Sequence, residues 1–206
     1  MINVRDLGLQ DFEKTWALQR ELLQQRAEDR IPDQLIVVQH PEVYTTGRAF
    51  QPEHLLSTAT APVIPIERGG SITFHEPGQW VFYPIFKLEE ERRDIRRFLT
   101  GLEQVMIDTL TDFGYPATRD ERNTGVWIAE KKVAAIGIAI RRWVTWHGMA
   151  LNVSNSLELT RHIAPCGFDA QWVTSLAQES GPQRPLPEVN ALKNKCIEHL
   201  KKWWDG

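Results

Sequence analysis

Apolar positions along this chain fall into two rhythms. Between residues 11 and 27, Phe12, Trp16 and Leu23 share one helical face among charged neighbours, and Asp11 stands where a cap belongs. That spacing predicts an amphipathic helix. A longer 3.6-residue period runs through Ile95, Phe98, Leu99, Leu102, Val105, Met106, Leu110 and Phe113, with Gly114 and Pro116 to end it. A third helix is predicted over about 189–204. Elsewhere, short β-rich runs predict strands at 35–39, stopped by His40-Pro41, and at 63–66, 72–75, 80–86, 126–128, 133–140 and 146–153. Residues 76–79, Glu-Pro-Gly-Gln, have the chemistry of a hairpin turn, and residues 129–132 predict a second one.

Strands clustered in hairpins, with helices at the ends and between, predict an α+β fold: a mixed β-sheet flanked by helices, in a single domain over 1–206. The Pro-rich stretch 181–187 reads as a connection to the last helix rather than a domain boundary. With 206 residues and 42% hydrophobic content, one substantial core is expected. A net charge of −3 gives no global field for nucleic acid, and no apolar run reaches the roughly 20 residues of a membrane span. The acidic start does not read as a secretory signal. The two cysteines, Cys166 and Cys196, lie thirty positions apart, which suits neither a disulfide framework nor a zinc site. No metal or other cofactor is expected, and the balance points to a reducing cytoplasm.

Three places carry candidate chemistry. Cys166 sits between Pro165 and Gly167, hence at a bend. Gly69-Gly70 lies between Arg68 and His75, in a spacing that fits neither phosphate-loop nor dinucleotide patterns; its backbone N–H groups suit an oxyanion or carbonyl. Lys131 and Lys132 are adjacent in a hairpin, so at most one faces a site. Downstream, Ala134-Ala135-Ile136-Gly137 suits an apolar slot, and His147 precedes Gly148.

Taken in order, RGGSITFH (68–75), PGQ (77–79), GVWI (125–128), KVAAIG (132–137), HGMALN (147–152) and APCGF (164–168) resemble the octanoyltransferase family, with HPEVYTTG (40–47) extending the likeness towards the start. Members of that family are lipoyl(octanoyl) transferases and share a fold with lipoate and biotin protein ligases. The resemblance implies that Cys166 attacks the thioester of octanoyl-acyl carrier protein to form an acyl-enzyme. It implies that a lysine of a lipoyl domain takes the acyl group, on the E2 subunits of 2-oxoacid dehydrogenases or on the glycine cleavage H protein. Lys132 is then the residue that activates the thiol. Arg68, Gly69, Gly70, Ser71, Ile72, Thr73, Phe74, His75, Ala135, Ile136, Gly137, His147, Gly148, Met149 and Ala150 are the implied substrate-binding residues. A monomer is expected. The alternatives are an amidotransferase that moves octanoyl or lipoyl groups between carrier proteins, and a non-catalytic acyl-binding relative.

One residue departs from the family pattern. Glu76 follows His75 where glycine is usual. A position that needs φ > 0 would strain glutamate; otherwise Glu76 adds a carboxylate near the reaction centre. For docking of an acidic carrier protein, Arg141-Arg142 are expected to matter more than the cluster Arg92, Arg93, Arg96 and Arg97.

Overall fold

The computed structural model describes residues 1–164 and 170–206. Its architecture follows from strands that are apolar on both faces. In β2 (Gln34–Gln39), Leu35 and Val37 enter one core while Ile36 and Val38 enter another, and all four are fully buried. A strand covered on both sides reads as a continuous apolar run, as this one does. The same division holds in β6 (Gln79–Ile85), with Trp80 and Phe82 on one side and Val81, Tyr83 and Ile85 on the other.

These strands sit in a seven-stranded sheet of order β1-β2-β6-β10-β9-β8-β7. Here β1 is Asn3–Leu9, β7 Ala117–Thr118, β8 Gly125–Ile128, β9 Lys131–Arg141 and β10 Val144–Asn152. Only β1 and β2 pair in parallel; the other neighbours are antiparallel. Helix α1 (Phe12–Ala27) covers one face through Leu22 and Leu23. Helices α2 (Ile95–Asp112) and α4 (Val189–Asp205) pack together over the other, with Phe98, Leu102, Cys196 and Leu200 buried. Each such apolar side chain contributes about 1.5–3 kcal/mol by leaving water. A second sheet of order β4-β3-β5 is built from β3 (Val43–Thr46), β4 (Val63–Pro65) and β5 (Ile72–His75). A short helix, α3 (Leu176–Glu179), precedes α4.

Helix ends follow the local chemistry. The Asp11 carboxylate accepts from the Lys14 N–H at 3.0 Å, and that of Asp94 from the Arg97 N–H at 2.9 Å. Gly114 takes φ +78° just past α2, the left-handed conformation that ends a helix.

The expected hairpin over 72–86 does not form. Strand β5 pairs with β3 in the small sheet, whereas β6 lies between β2 and β10 in the large one. The turn hands the chain from one sheet to the other. Gly78, at φ +91°, donates its N–H to Gln39 Oε1 at 2.7 Å, and a Cβ there would lie 2.7 Å from the Asn155 nitrogen. Turn chemistry marks the bend but does not say which strand each arm will join. The second hairpin does form, with a shorter loop: Ile128 pairs with Lys131 around Ala129-Glu130, so both lysines belong to β9.

Candidate active site

The small sheet leans on the large one through the loop that joins β4 to β5. Gly69 donates its N–H to the Ile138 carbonyl of β9 at 2.9 Å. A Cβ on Gly137 would lie 3.1 Å from Gly69 O and 3.2 Å from Arg68 Cδ. On the other side, a Cβ on Gly47 would fall 2.4 Å from Gly70 O, and Gly70 itself has φ +79°. Glycines at these crossings let three stretches of backbone approach. Arg68 closes the joint: one Nη donates to the Gly69 carbonyl at 2.9 Å, the other to Thr45 O and Oγ1 at 2.7 and 3.1 Å. Because Gly69's N–H is engaged by Ile138, it is not available to an oxyanion, contrary to one sequence expectation.

Beneath this loop lies a cavity of about 610 Å³. Arg68, Gly69, Gly70, Ile72, Thr73, Phe74, His75, Lys132, Ala135, Ile136, Gly137, His147, Gly148, Met149 and Ala150 all line it. Along β9 the lining runs from Lys132 to Ile138, about 20 Å of strand. Ser71 does not join them: its buried hydroxyl donates instead to His54 Nδ1 at 2.5 Å, which also accepts the Gln51 N–H. Cys166 lies outside the described residues. On either side of that segment, Ile163, Trp172 and Val173 line the same cavity. Val173 bridges to Lys132, and the Thr174 N–H donates to the Lys132 carbonyl at 3.0 Å.

Lys132 is positioned by residues that motif reading passed over. Its ammonium donates to Asn123 Oδ1 at 2.6 Å and to the Thr124 carbonyl at 2.7 Å, and it lies 6.0 Å from the Trp127 ring centroid. The side chain passes over Gly125, where a Cβ would fall 2.4 Å from Lys132 Cε. Lys131 is exposed. The polar pair Asn123-Thr124 just before GVWI was the available signal.

His75 and His147 line the cavity, a third buried histidine, His40, stands edge-on to His75, and burial favours the neutral form of all three. The Gln79 amide donates to Phe74 O and Asn152 Oδ1, so its carbonyl accepts the Nδ1–H of His75 at 2.6 Å. Burial, with His40 nearby, pushes His75 down to about 3. His40 donates its Nδ1–H to Gln10 O and accepts the Tyr83 hydroxyl at Nε2, and burial lowers it to about 4. His147, with φ +55°, is pushed to about 3 by burial and by the charge of Arg68. The Phe12 ring stacks on that of His75 at 6.0 Å. Asn152 extends the network by donating to the Thr174 carbonyl at 3.0 Å.

Glu76 turns away from the cavity. Its carboxylate accepts from Asn155 Nδ2, Ser156 Oγ and the Leu157 N–H at 3.1, 3.0 and 2.9 Å. It is not among the residues with positive φ, so the glutamate is unstrained.

Of the arginines weighed for docking, two are engaged in the fold. Arg92 donates to the Trp204 carbonyl at 2.7 Å, and Arg93 lies over the Trp143 ring. Arg141-Arg142 are exposed at the far end of β9, about 30 Å of strand from Lys132. Among the described residues, no group of three or more His, Cys, Asp or Glu is placed to hold a metal ion, and no helix is long and apolar enough to cross a membrane.

Comparison with known proteins places the chain in a family. The family model for the lipoyl protein ligase A/B catalytic domain matches residues 11–201. An octanoyltransferase of Corynebacterium efficiens is 45% identical over 91% of this chain and 77% of its own. One from Syntrophotalea carbinolica is 40% identical over 98% of this chain and 96% of its own. Among solved structures, a lipoate-protein ligase A bound with ATP superposes with a TM-score of 0.74 at 12% identity, covering 99% of this chain and 85% of that one. A biotin protein ligase from Aquifex aeolicus gives 0.63 at 14% identity, covering 98% and 69%. Those two likenesses show the fold: a mixed sheet flanked by helices, as in lipoate and biotin ligase catalytic domains. The chain belongs to the lipoyl protein ligase A/B catalytic-domain family and, within it, to the octanoyltransferases, acyltransferases of lipoate biosynthesis.

Proposed function

We propose that this protein transfers an octanoyl group from acyl carrier protein to a lipoyl-domain lysine through a thioester on Cys166. One observation carries the reading: Lys132's ammonium is anchored on the wall of a cavity that residues on both sides of the Cys166 segment also line. An ordinary thiol, with a pKa of about 8.5, is only a few per cent thiolate at neutral pH. An ammonium beside it favours the charged form. The thiolate attacks the octanoyl thioester carbonyl, the C–S bond to the carrier breaks, and the carrier leaves as its thiolate. A neutral lysine amine of the acceptor then attacks the acyl-enzyme. An amide forms, the Cys166–acyl bond breaks, and the amine's proton restores the thiol.

The cavity accounts for the choice of an acyl chain. Ile72, Phe74, Ala135, Ile136 and Met149 supply apolar walls. Six methylenes at about 0.8 kcal/mol each contribute on the order of 5 kcal/mol before ordering costs. Neutral His75 and His147 add no charge to repel the chain. The acceptors are expected among lipoyl domains of 2-oxoacid dehydrogenase E2 subunits and the glycine cleavage H protein, in the cytoplasm.

Intact-mass analysis after mixing with octanoyl-acyl carrier protein tests the reading. The wild-type chain should gain one octanoyl group, Cys196→Ser should gain it equally, and Cys166→Ala should gain none. Transfer to a lipoyl domain by Cys166→Ala at near wild-type rate would end the covalent mechanism.

A further inference from the structure

A surface arginine on a loop between strands is usually solvated, but Arg122 meets two aromatic rings and two carboxylates while its side chain stays 31% exposed. Its guanidinium carbon lies over the Trp127 ring at 4.6 Å and over the Trp172 ring at 4.7 Å. Its edge meets Asp120 in a fork, Nε to Oδ1 at 2.7 Å and Nη2 to Oδ2 at 2.6 Å, and the backbone N–H of Arg122 donates to the same Oδ1 at 2.9 Å. Glu130 Oε2 lies 3.6 Å from the remaining Nη1. A planar guanidinium can present its edge to a carboxylate while its faces meet aromatic rings; a lysine ammonium cannot do both.

What Arg122 joins is the point. Trp127 belongs to β8, whose partner strand carries Lys132. The next two residues after Arg122 are Asn123 and Thr124, which hold the Lys132 ammonium. Trp172 lies six positions past Cys166, and its neighbour Val173 bridges to Lys132. One guanidinium therefore ties the loop that holds the lysine to Trp172, six positions past the cysteine.

We propose that Arg122 is a positioning residue for acyl transfer, fixing the chain after Cys166 against the strand and loop that present Lys132. This rests on the roles given above to Cys166 and Lys132. Arg122 itself lines the cavity beside Asn123 and Thr124, and its removal should change how well the thiol and ammonium are matched more than how tightly the acyl chain binds.

The test uses the full chain and two readouts. The first is the pH dependence of Cys166 alkylation by iodoacetamide, followed by peptide mass so that buried Cys196 does not enter. The second is octanoylation by a small octanoyl thioester. Arg122→Gln should move the alkylation midpoint to higher pH and cut kcat about two- to fivefold, the range expected of an exposed cation–π contact, with KM changed less. Arg122→Lys should recover part of both, and Trp172→Leu, which leaves the Asp120 pair in place, should shift both in the same direction as Arg122→Gln. An unmoved midpoint and kcat in Arg122→Gln would overturn the proposal, whatever happens to its melting temperature. Should wild type take no octanoyl group while its alkylation midpoint still follows Arg122, the acyl-transfer reading fails and the positioning role stands.

Discussion

Glu76, where the resemblance led to an expectation of glycine, sits in its turn without a positive φ. The residue in that turn that needs a left-handed backbone is Gly78, at φ +91°. Glu76 instead sends its carboxylate under the loop after β10, where three donors meet it. Asn155, one of those donors, also gives a hydrogen bond to Asn152 Oδ1 at 3.1 Å, and so links Glu76 to the Gln79–His75 pair. Replacing Glu76 by glycine should therefore cost stability. Glu76→Gly leaves buried donors without an acceptor, a loss of about 2–4 kcal/mol, and Glu76→Gln should lose less because its amide oxygen still accepts. Urea unfolding midpoints measure this, and a Glu76→Gly chain within about 0.5 kcal/mol of wild type would show that the loop finds other partners.

At the scale of elements, the β8–β9 hairpin carries the most chemistry in the fewest residues. Its loop is two residues long, so the strands are in register at once and Lys132 stands opposite Trp127. Gly125, at φ +143°, lets the lysine stem lie across β8. Gly125→Ala adds a Cβ 2.4 Å from both Ala134 O and Lys132 Cε, and it forces an L-residue into a glycine conformation. The backbone strain is on the order of 1–3 kcal/mol, and the lysine must shift away from Asn123 and Thr124. Octanoylation should fall at least tenfold while the circular dichroism spectrum stays that of the folded chain. A rate within twofold of wild type would mean that the ammonium's anchoring does not matter. This hairpin was legible because its own strands pair. The turn at 76–79 carried an equally strong signal, yet its arms part into different sheets, which no local pattern reveals. Strands β1 and β3 leave little local pattern for a related reason: Asn3–Leu9 is a half-exposed edge strand of mixed composition, and Val43–Thr46 is only four residues long.

Across the whole molecule, helix faces and motif order were legible, and the meeting of the two sheets was not. Lys132 and the glycines of the cavity could be named from their motifs. Phe12, His40 and Tyr83, which come together from α1, the end of β2 and β6, could not, because only tertiary packing places them side by side. That junction gives the fold a pH dependence. His40, His75 and His147 have folded values of about 4, 3 and 3, against about 6.5 for an unfolded histidine. Between those limits the unfolded chain binds more protons than the folded one, so stability rises with pH through the window and falls on acidification. Above pH 6.5 the contribution is fully present; as pH drops from 7 to 5, each histidine withdraws on the order of 2 kcal/mol. Aspartates held below the usual carboxylate range, such as Asp120 beside Arg122, act in the same direction but only at more acid pH. Urea unfolding at pH 7 and pH 5 should thus show a loss of several kcal/mol before any carboxylate titrates. His147→Gln should reduce that loss by about a third, since one of three comparable groups is gone. Equal stability at the two pH values would mean that the histidines take up protons in the folded chain, and that the junction between the sheets is wetter than its packing indicates.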